Sequence, residues 1–330
     1  MSIIHPGRGD VHVDRPLTQI SEAFVQDRGL FVADRVFPIL PVDKRSDLFF
    51  KFDRGDFFRD ELKRRAPATK AATVGYNLST DSYSCDVWAL AHDISDQIRS
   101  NADEPLQLER AATEMLTHKG MIRKDRAWAA SYFVASQWTT DLAGVDSASP
   151  GAGQFGRWDR ADSTPIEDIR EAGDIVQGLT GLRPNKMVLQ RQAYSALLDH
   201  PDIVGRLDRG QTQGPAVVMR QNLAALFELD EVLVLDGSYN AANEGAADDI
   251  QFIGGKHALL VHAARRPGLM TASAGYTFSW AGLLGAGNSG QRIKRYRIEE
   301  RAADRIEIEM AFDHKLVAPD LGVFFENAVS

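Results

Sequence analysis

The most informative stretch for the fold is residues 46–92, whose sequence is SDLFFKFDRGDFFRDELKRRAPATKAATVGYNLSTDSYSCDVWALAH. Phe49, Phe50 and Phe52 open this stretch, and its second half alternates apolar and polar side chains with the period of two typical of a β-strand. The two halves therefore predict a long two-stranded hairpin. Because an isolated hairpin is only marginally stable in water, we expect neighbouring surfaces to support it.

The far end of the predicted hairpin is rich in charge. Basic side chains there could contact nucleic acid, but acidic side chains are interleaved with them. This mixture favours pairing with charges of both signs on another protein surface. The candidate contact residues are Phe49, Phe50, Phe52, Arg54, Arg59, Asp60, Glu61, Lys63, Arg64 and Arg65.

The segments on either side of the hairpin suggest an extended molecule. Residues 1–45 contain four spaced prolines and few periodic apolar residues, which predicts an arm that needs another surface to lie on. Residues 103–138 predict one long helix that begins near Asp103 and is interrupted at Gly120. At ~1.5 Å per residue such a helix is about 50 Å long, which suits a scaffold better than a compact enzyme.

The rest of the chain predicts mixed α+β structure. In residues 164–264 a helix starts at Pro165 and ends at Gly181, and short apolar strands include 187–189, 232–235 and 258–261. The last 60 residues alternate as strands with one polar face. The predicted fold class is therefore α+β.

Composition excludes several classes of protein. The 330 residues carry a formal net charge of −8, which on average repels the phosphates of nucleic acid. Cys85 is the single cysteine, so there is no disulfide framework. No apolar run approaches the ~20 residues that a membrane-spanning helix needs, and the first residues have no apolar signal core.

The motifs that could carry chemistry are weak. Residues 151–156 and 285–290 match the Gly-x-Gly-x-x-Gly spelling, but neither follows a strand and opens a helix as dinucleotide binding requires. The eight histidines lack metal-ligand spacing, and Cys85 has no histidine near it in sequence. We therefore predict no catalytic residues, no cofactor and no metal.

Several short stretches follow one another in a characteristic order: FVADRVFP at 31–38, VDK at 42–44, AP at 66–67 with Tyr76 and TD at 80–81, ADEP at 102–105, PN at 184–185, HP at 200–201, residues 223–234, RPG at 266–268, GYTF at 275–278 and VAPD at 317–320. Together they resemble tailed-bacteriophage major capsid proteins with the Hong Kong 97-like shell fold. Each is short, and their order and spacing along the whole chain carry the resemblance.

The resemblance implies a division of the chain and a structural function. It implies an N-arm (1–45), an E-loop hairpin (46–92), a peripheral domain with a spine helix (93–160), an axial domain (161–264) and the peripheral sheet (265–330). It further implies self-assembly into hexamers and pentamers of an icosahedral shell that encloses double-stranded DNA. On this reading the protein is not an enzyme and belongs to the virion.

The same resemblance implies the partners. They are other copies of the chain, a portal protein, a scaffolding or decoration protein, and packaged DNA bound without sequence specificity, with no membrane. Assembly is expected in the host cytoplasm. Since the arm-like sequence starts near Met1, we expect any scaffolding to be a separate protein.

Two alternatives remain open at this point. A nanocompartment shell of the same fold would enclose enzyme cargo, and a soluble enzyme would use the 161–264 block. Some relatives also join a loop lysine covalently to a neighbour's asparagine, for which Lys63, Lys70 and Asn327 are the candidates. No apolar surroundings in sequence would lower the pKa of either lysine, so we expect a shell held by non-covalent contacts.

Overall fold

The structure, a computed structural model, describes residues 26–101, 108–208, 219–268, 270–285 and 290–330. The first 25 residues of the predicted arm, the predicted helix start at Asp103 and most of the 285–290 glycine motif lie outside this part of the chain.

Fifteen strands, nine α-helices or α-helical turns and three short 3-10 turns form the described part. The N-terminal third contains α1 (Ala33–Val36), β1 (Ile39–Val42), β2 (Ser46–Phe52), α2 (Arg54–Phe57), β3 (Leu78–Ser84), β4 (Asp86–Ser95), α3 (Asp96–Asn101) and α4 (Leu108–Tyr132). The middle contains β5 (Thr140–Val145), β6 (Gln154–Gly156), α5 (Pro165–Thr180), β7 (Lys186–Gln190), α6 (Arg191–Leu198), α7 (Pro201–Asp208), α8 (Arg220–Leu226), β8 (Glu231–Leu235), β9 (Ser238–Asn240), β10 (Ile250–Phe252) and β11 (Ala258–Val261). The C-terminal part contains β12 (Gly275–Trp280), α9 (Ala281–Leu284), β13 (Gln291–Ile298), β14 (Ala303–Leu316) and β15 (Gly322–Glu326).

The 14-residue strand β14 organises a five-stranded sheet. It pairs antiparallel with β4 along one edge, and with β13 and then β12 along the other, while β1 adds to β12 in parallel. Ile306 and Ile308 of β14 point to the long helix α4, where they pack with Ala112 and Leu116. The helix therefore lies across one face of this sheet.

The predicted interruption of the long helix at Gly120 is wrong. Helix α4 is continuous from Leu108 to Tyr132, and a Cβ at Gly120 would lie 3.1 Å from Ile308 Cδ1 and 3.4 Å from Met310 Sδ. The glycine thus allows the helix to approach the sheet closely. The helix also ends six residues earlier than predicted, where the indole N–H of Trp138 donates to the carbonyl of Tyr132 at 2.8 Å.

The second sheet has six strands in the order β6-β5-β15-β11-β7-β8. One of its faces is covered by helices α5 and α6, and the other by the C-terminal end of α4. Strand β15, from the last segment of the chain, pairs directly with β11 of the 161–264 block. The strands of this sheet come from three separate stretches of chain. The sheet therefore crosses the domain boundaries expected at 160/161 and 264/265.

Helix α5 confirms the boundaries predicted from its ends. Pro165 occupies its first turn, and Gly181 follows it with a φ of 70°, a left-handed conformation in which a side chain would be strained. The strands predicted around 187–189, 232–235 and 258–261 are β7, β8 and β11.

The arm is expected to need another surface to lie on, and its described part finds that surface within its own subunit. Val32, Val36 and Phe37 are all buried, in the same cluster as Trp128 and Tyr132 of α4. This burial is not visible in the sequence pattern, because these apolar residues belong to a single helical turn that is too short to show a period.

We predict that Gly322→Ala destabilises the fold by about 1–3 kcal/mol, because a Cβ there would lie 2.3 Å from Cζ3 of the buried Trp138. The free energy of unfolding measures this. Gly173→Ala is the matched control, since it sits inside helix α5 with no heavy atom near its Cβ position. The control should be stabilising by about 0.5–1 kcal/mol, and equal losses in the two variants would contradict the packing described.

Candidate functional site

The predicted hairpin is present over residues 46–84, and its base is anchored in the subunit. The last part of the predicted 46–92 hairpin is wrong, because residues 86–92 belong to β4 and pair with β14. Strands β2 and β3 pair antiparallel from Ser46 opposite Ser84 to Phe52 opposite Leu78. At the base, the ring of Tyr83 stacks on Phe278 of β12 with centroids 4.5 Å apart, and Phe49 lies 5.5 Å from the same ring. Phe49, one of the candidate contact residues, therefore packs mainly against its own subunit.

Cys85 is part of this anchor. It is fully buried beside Tyr83 and Phe278, and burial, with the charges of Asp313 and Asp86, raises the pKa of its thiol to about 12. Since the thiolate is the reactive form, the cysteine is chemically quiet in the folded subunit.

The middle of the hairpin is stiffened by its own side chains. Asp53 caps α2 by accepting the N–H of Gly55 at 2.9 Å, and Asp56 accepts the N–H of Asn77 at 2.7 Å across the hairpin. Asp56 also pairs with Arg59 at 3.1 Å. The rings of Phe52, Phe57 and Tyr76 form a small aromatic cluster with centroid distances of 5.8–6.1 Å.

Two contacts set the hairpin against the body of the subunit. Arg54 pairs with Asp320 at 2.7 Å, and the other oxygen of that carboxylate accepts the hydroxyl of Thr139 at 2.6 Å. Phe58 packs on the C-terminal end of helix α5, where a Cβ at Gly181 would lie 2.9 Å from Phe58 Cε1. Glycine at this helix end therefore also leaves room for the hairpin.

Beyond these contacts the hairpin tip, residues 59–76, is exposed along its whole length. Leu62 is 97% exposed and Tyr76 is 65% exposed. The structure shows no partner among the residues it describes for Asp60, Glu61, Lys63, Arg64 or Lys70, whereas Arg65 donates to the carbonyl of Thr69. Phe50, on β2, is also exposed. Such apolar side chains, left in water among unpaired charges, are typical of an interaction surface.

The cross-link candidates are not in contact within one subunit. Lys63 and Lys70 lie on the exposed tip, and Asn327 follows β15 in a left-handed conformation with a φ of 52°. The backbone N–H of Asn327 donates to Nδ1 of His257 at 3.0 Å. Any bond between these residues would have to join two subunits.

One serine–histidine pair has no local sequence pattern, because its members are 37 residues apart. Nε2 of His200 lies 3.0 Å from both Oγ of Ser163 and the carbonyl oxygen of Arg160. Nδ1 accepts the N–H of Asp202, so Nε2 carries the proton and cannot act as a base toward the serine. Both side chains are buried, and the pair is structural.

The described residues contain no group of three or more His, Cys, Asp or Glu side chains arranged to hold a metal ion. None of their helices combines the length and apolar character needed to cross a membrane.

Comparison with known proteins assigns this architecture. Residues 154–278 match the family model described as phage major capsid protein E. The major capsid protein of Pseudomonas phage JBD67 is 29% identical over 318 residues, which cover 96% of this chain and 97% of that protein. The chain is a phage major capsid protein. The major capsid protein of Burkholderia phage BcepMu is 24% identical and matches over 69% of this chain and 70% of that one.

Solved structures show that this capsid protein has the Hong Kong 97-like fold. A phage-related protein from Bordetella bronchiseptica RB50 superposes with a TM-score of 0.68 at 19% identity, covering 92% of this chain and 93% of that chain. The mature capsid of bacteriophage PhiM1 gives 0.58 at 12% identity, over 99% and 96% of the two chains. An encapsulin from Synechococcus elongatus PCC 7942 gives 0.53 at 14%, over 96% and 95%. The capsid protein is therefore a structural component of the virion that forms a shell from many copies of itself.

We predict that Cys85 resists alkylation by iodoacetamide in the native capsid protein and reacts fully after unfolding, because its thiol is buried and its pKa is raised to about 12. Mass spectrometry of the single cysteine gives the measurement without interference from other thiols. Rapid labelling of native protein at pH 8 would contradict the anchoring of the hairpin base on Phe278.

Proposed function

We propose that the capsid protein assembles into hexamers and pentamers of an icosahedral shell around double-stranded DNA, and that the hairpin tip makes the contacts between subunits. The observation that carries the proposal is the exposure of residues 59–76. The tip is held at a fixed position by Arg54 and Phe58, yet its own side chains contact little of the subunit.

The tip's chemistry fits another copy of the chain. Residues 59–70 contain five basic and two acidic side chains, whereas the whole chain has a net charge of −8. The tip and the average surface of a second copy are therefore complementary in charge. The exposed rings of Phe50, Phe57 and Tyr76 add apolar area that is desolvated when a neighbour covers it.

We assign the parts of the chain to the parts of the shell subunit as follows. Residues 1–45 are the N-arm, 46–92 the E-loop, and 93–160 with 265–330 the peripheral domain, in which α4 is the spine helix. Residues 161–264 form the axial domain, to which strands β5, β6 and β15 also contribute.

The remaining partners follow from this role. The shell would join a portal protein at one vertex and use a separate scaffolding protein, a decoration protein or neither, with assembly in the host cytoplasm. A subunit with net charge −8 favours loose, sequence-independent contact with packaged DNA, because phosphate is repelled on average. No catalytic role is proposed, since the serine–histidine pair has the wrong proton arrangement.

A nanocompartment shell with enzyme cargo is the second candidate function, and the encapsulin that shares the fold favours it. The two are separated by what purified particles contain. Particles from infected or induced cells should hold nuclease-protected DNA if the proposal is right. A discrete protein cargo and no DNA would support the nanocompartment instead.

Replacing residues 60–75 by a four-residue Gly/Ser linker should prevent shell formation. Because these side chains are exposed, the free energy of unfolding of the subunit should change by only about 0.5 kcal/mol. Negative-stain microscopy and sedimentation measure assembly, and thermal unfolding measures the fold.

A charge test uses full-length protein. Arg64→Glu with Arg65→Glu should weaken assembly, while the matched control Arg64→Lys with Arg65→Lys should assemble normally. Normal shells from the linker variant, or equal behaviour of the two charge variants, would contradict the proposed contact.

Mature particles boiled in detergent should give one band near 36.4 kDa, because Lys63 and Lys70 are exposed and the subunit encloses neither amine in a pocket that would activate it. A ladder of dimers to hexamers would show covalent joining. In that case Lys63→Ala and Lys70→Ala would identify the reacting lysine.

A further inference from the structure

We propose that the segment Val32–Phe37, here called the arm turn, is a two-ended clamp that fastens the long helix α4 to the six-stranded sheet, and that acidification tightens it through proton uptake by Asp125. The proposal concerns the subunit's own conformation and does not depend on the proposed role of the hairpin. The proposal rests on charged side chains of helix α4 and of the six-stranded sheet that all contact the arm turn.

The N-terminal end of the arm turn is held by helix α4. The turn has no capping side chain of its own. Instead, Oδ2 of Asp125 accepts the N–H of Val32 at 3.1 Å, and Oδ1 accepts the N–H of Ala33 at 2.9 Å. Asp125 is 1% exposed, so these two backbone donors would otherwise be buried without partners. Lys124, the preceding residue of the helix, pairs with Asp34 of the turn.

The C-terminal end is held by the sheet. Nζ of Lys186, on β7, donates to the carbonyl of Arg35 and, at 3.1 Å, to the carbonyl of Val36. These are carbonyls that a short helical turn leaves without intrahelical partners. Arg35 also pairs with Glu231 of β8. The two ends of the arm turn are thus fixed by side chains from helix α4 at one end and from the six-stranded sheet at the other.

Between the two ends, apolar packing fills the joint. Phe37 lies 4.7 Å from Tyr132 of α4 between ring centroids, and Val36 is fully buried. The same cluster includes Val188 and Leu233 of the sheet. Removing the arm turn would therefore open the core where helix and sheet meet.

The direction of the pH effect follows from Asp125. Burial raises its pKa to about 6, although the N–H groups of Ala33 and Val32 and the charge of Lys124 lower it, and Asp34 raises it further. When the turn detaches, the carboxyl meets water and its pKa returns toward ~3.9. The attached state therefore binds the proton more tightly, and lowering the pH through 6 favours attachment.

Other titratable groups line the joint. Burial and the charge of Lys124 lower the pKa of His314, on β14, to about 3, so it is neutral. Burial lowers the pKa of Lys186, on β7, and the neighbouring Arg35 adds to this, while Glu231 opposes it. Burial also lowers the pKa of His118 of α4, whose ring packs against Phe31, so its protonation opposes attachment. Asp125 is the group whose raised pKa favours attachment at lower pH.

Hydrogen exchange of the full-length protein, followed by mass spectrometry, tests the clamp. Exchange in peptides covering residues 28–38 should be compared with peptides of helix α5, after correction for the intrinsic pH dependence of exchange. In Asp125→Ala and in Lys186→Met, exchange at 28–38 should rise about tenfold or more, with helix α5 unchanged. Glu114→Gln, which alters an exposed carboxylate of helix α4 away from the arm turn, is the matched control and should leave exchange at 28–38 unchanged.

The pH profile separates the clamp from a general loss of stability. Wild-type protection at 28–38 should increase at least several-fold from pH 7.5 to pH 5.5, Glu114→Gln should keep this step, and Asp125→Ala should lose it. If Asp125→Ala does not fold, the wild-type and Lys186→Met profiles still decide, since both retain Asp125. Protection independent of pH in wild-type protein, or equal acceleration at helix α5, would overturn the proposal.

Discussion

The structure depends on how the aromatic end of the long helix is packed. Trp128 and Tyr132 of α4, with Phe133 directly after it, lie in the core between the two sheets, and the hydroxyl of Tyr132 donates to the carbonyl of Tyr276 on β12 at 3.2 Å. The other end of the same helix covers β14 through Ala112 and Leu116. One helix therefore packs against both sheets and fixes their relative position.

This arrangement explains how a subunit can be stable and still have unused surface. The six-stranded sheet is covered on both faces within one chain, so the fold does not require a neighbour to form its core. The hairpin departs from that body at Phe49 and Tyr83 and is steadied at Arg54 and Phe58. Its tip keeps apolar and charged groups in water, which is the condition expected of a protein that becomes complete only in an assembly.

Ion pairs organise the outer parts of the five-stranded sheet. Arg305 binds both oxygens of Asp93 at 2.6 and 2.7 Å, and Arg292 and Lys294 share Glu309. These pairs link β14 to β4 on one side and to β13 on the other, along a sheet whose edge strand β13 is rich in basic residues. A charged edge also discourages unintended strand pairing, so the ordered contacts of a shell are less open to competition from aggregation.

Local sequence patterns are sufficient to predict several elements of this fold and the kind of protein it is. Alternation predicted the hairpin, proline and glycine predicted the ends of helix α5, and the order of short stretches indicated the capsid family. These features are local, or are preserved as strings, so they can be recognised without coordinates. The charged tip was also predicted, since unpaired exposed charges are visible as a run in the sequence.

The surfaces that the arm and the distant strands contact depend on the tertiary structure and cannot be predicted from local patterns. Residues 32–37 are too few to show a period, and their burial depends on Asp125 and Lys186, more than 80 residues away. Gly120 suggested a bend but serves close packing against Ile308, because a missing side chain has the same sequence signature in both cases. The pairing of β15 with β11 joins segments some 60 residues apart, and no local pattern records such a long-range hydrogen-bonded register.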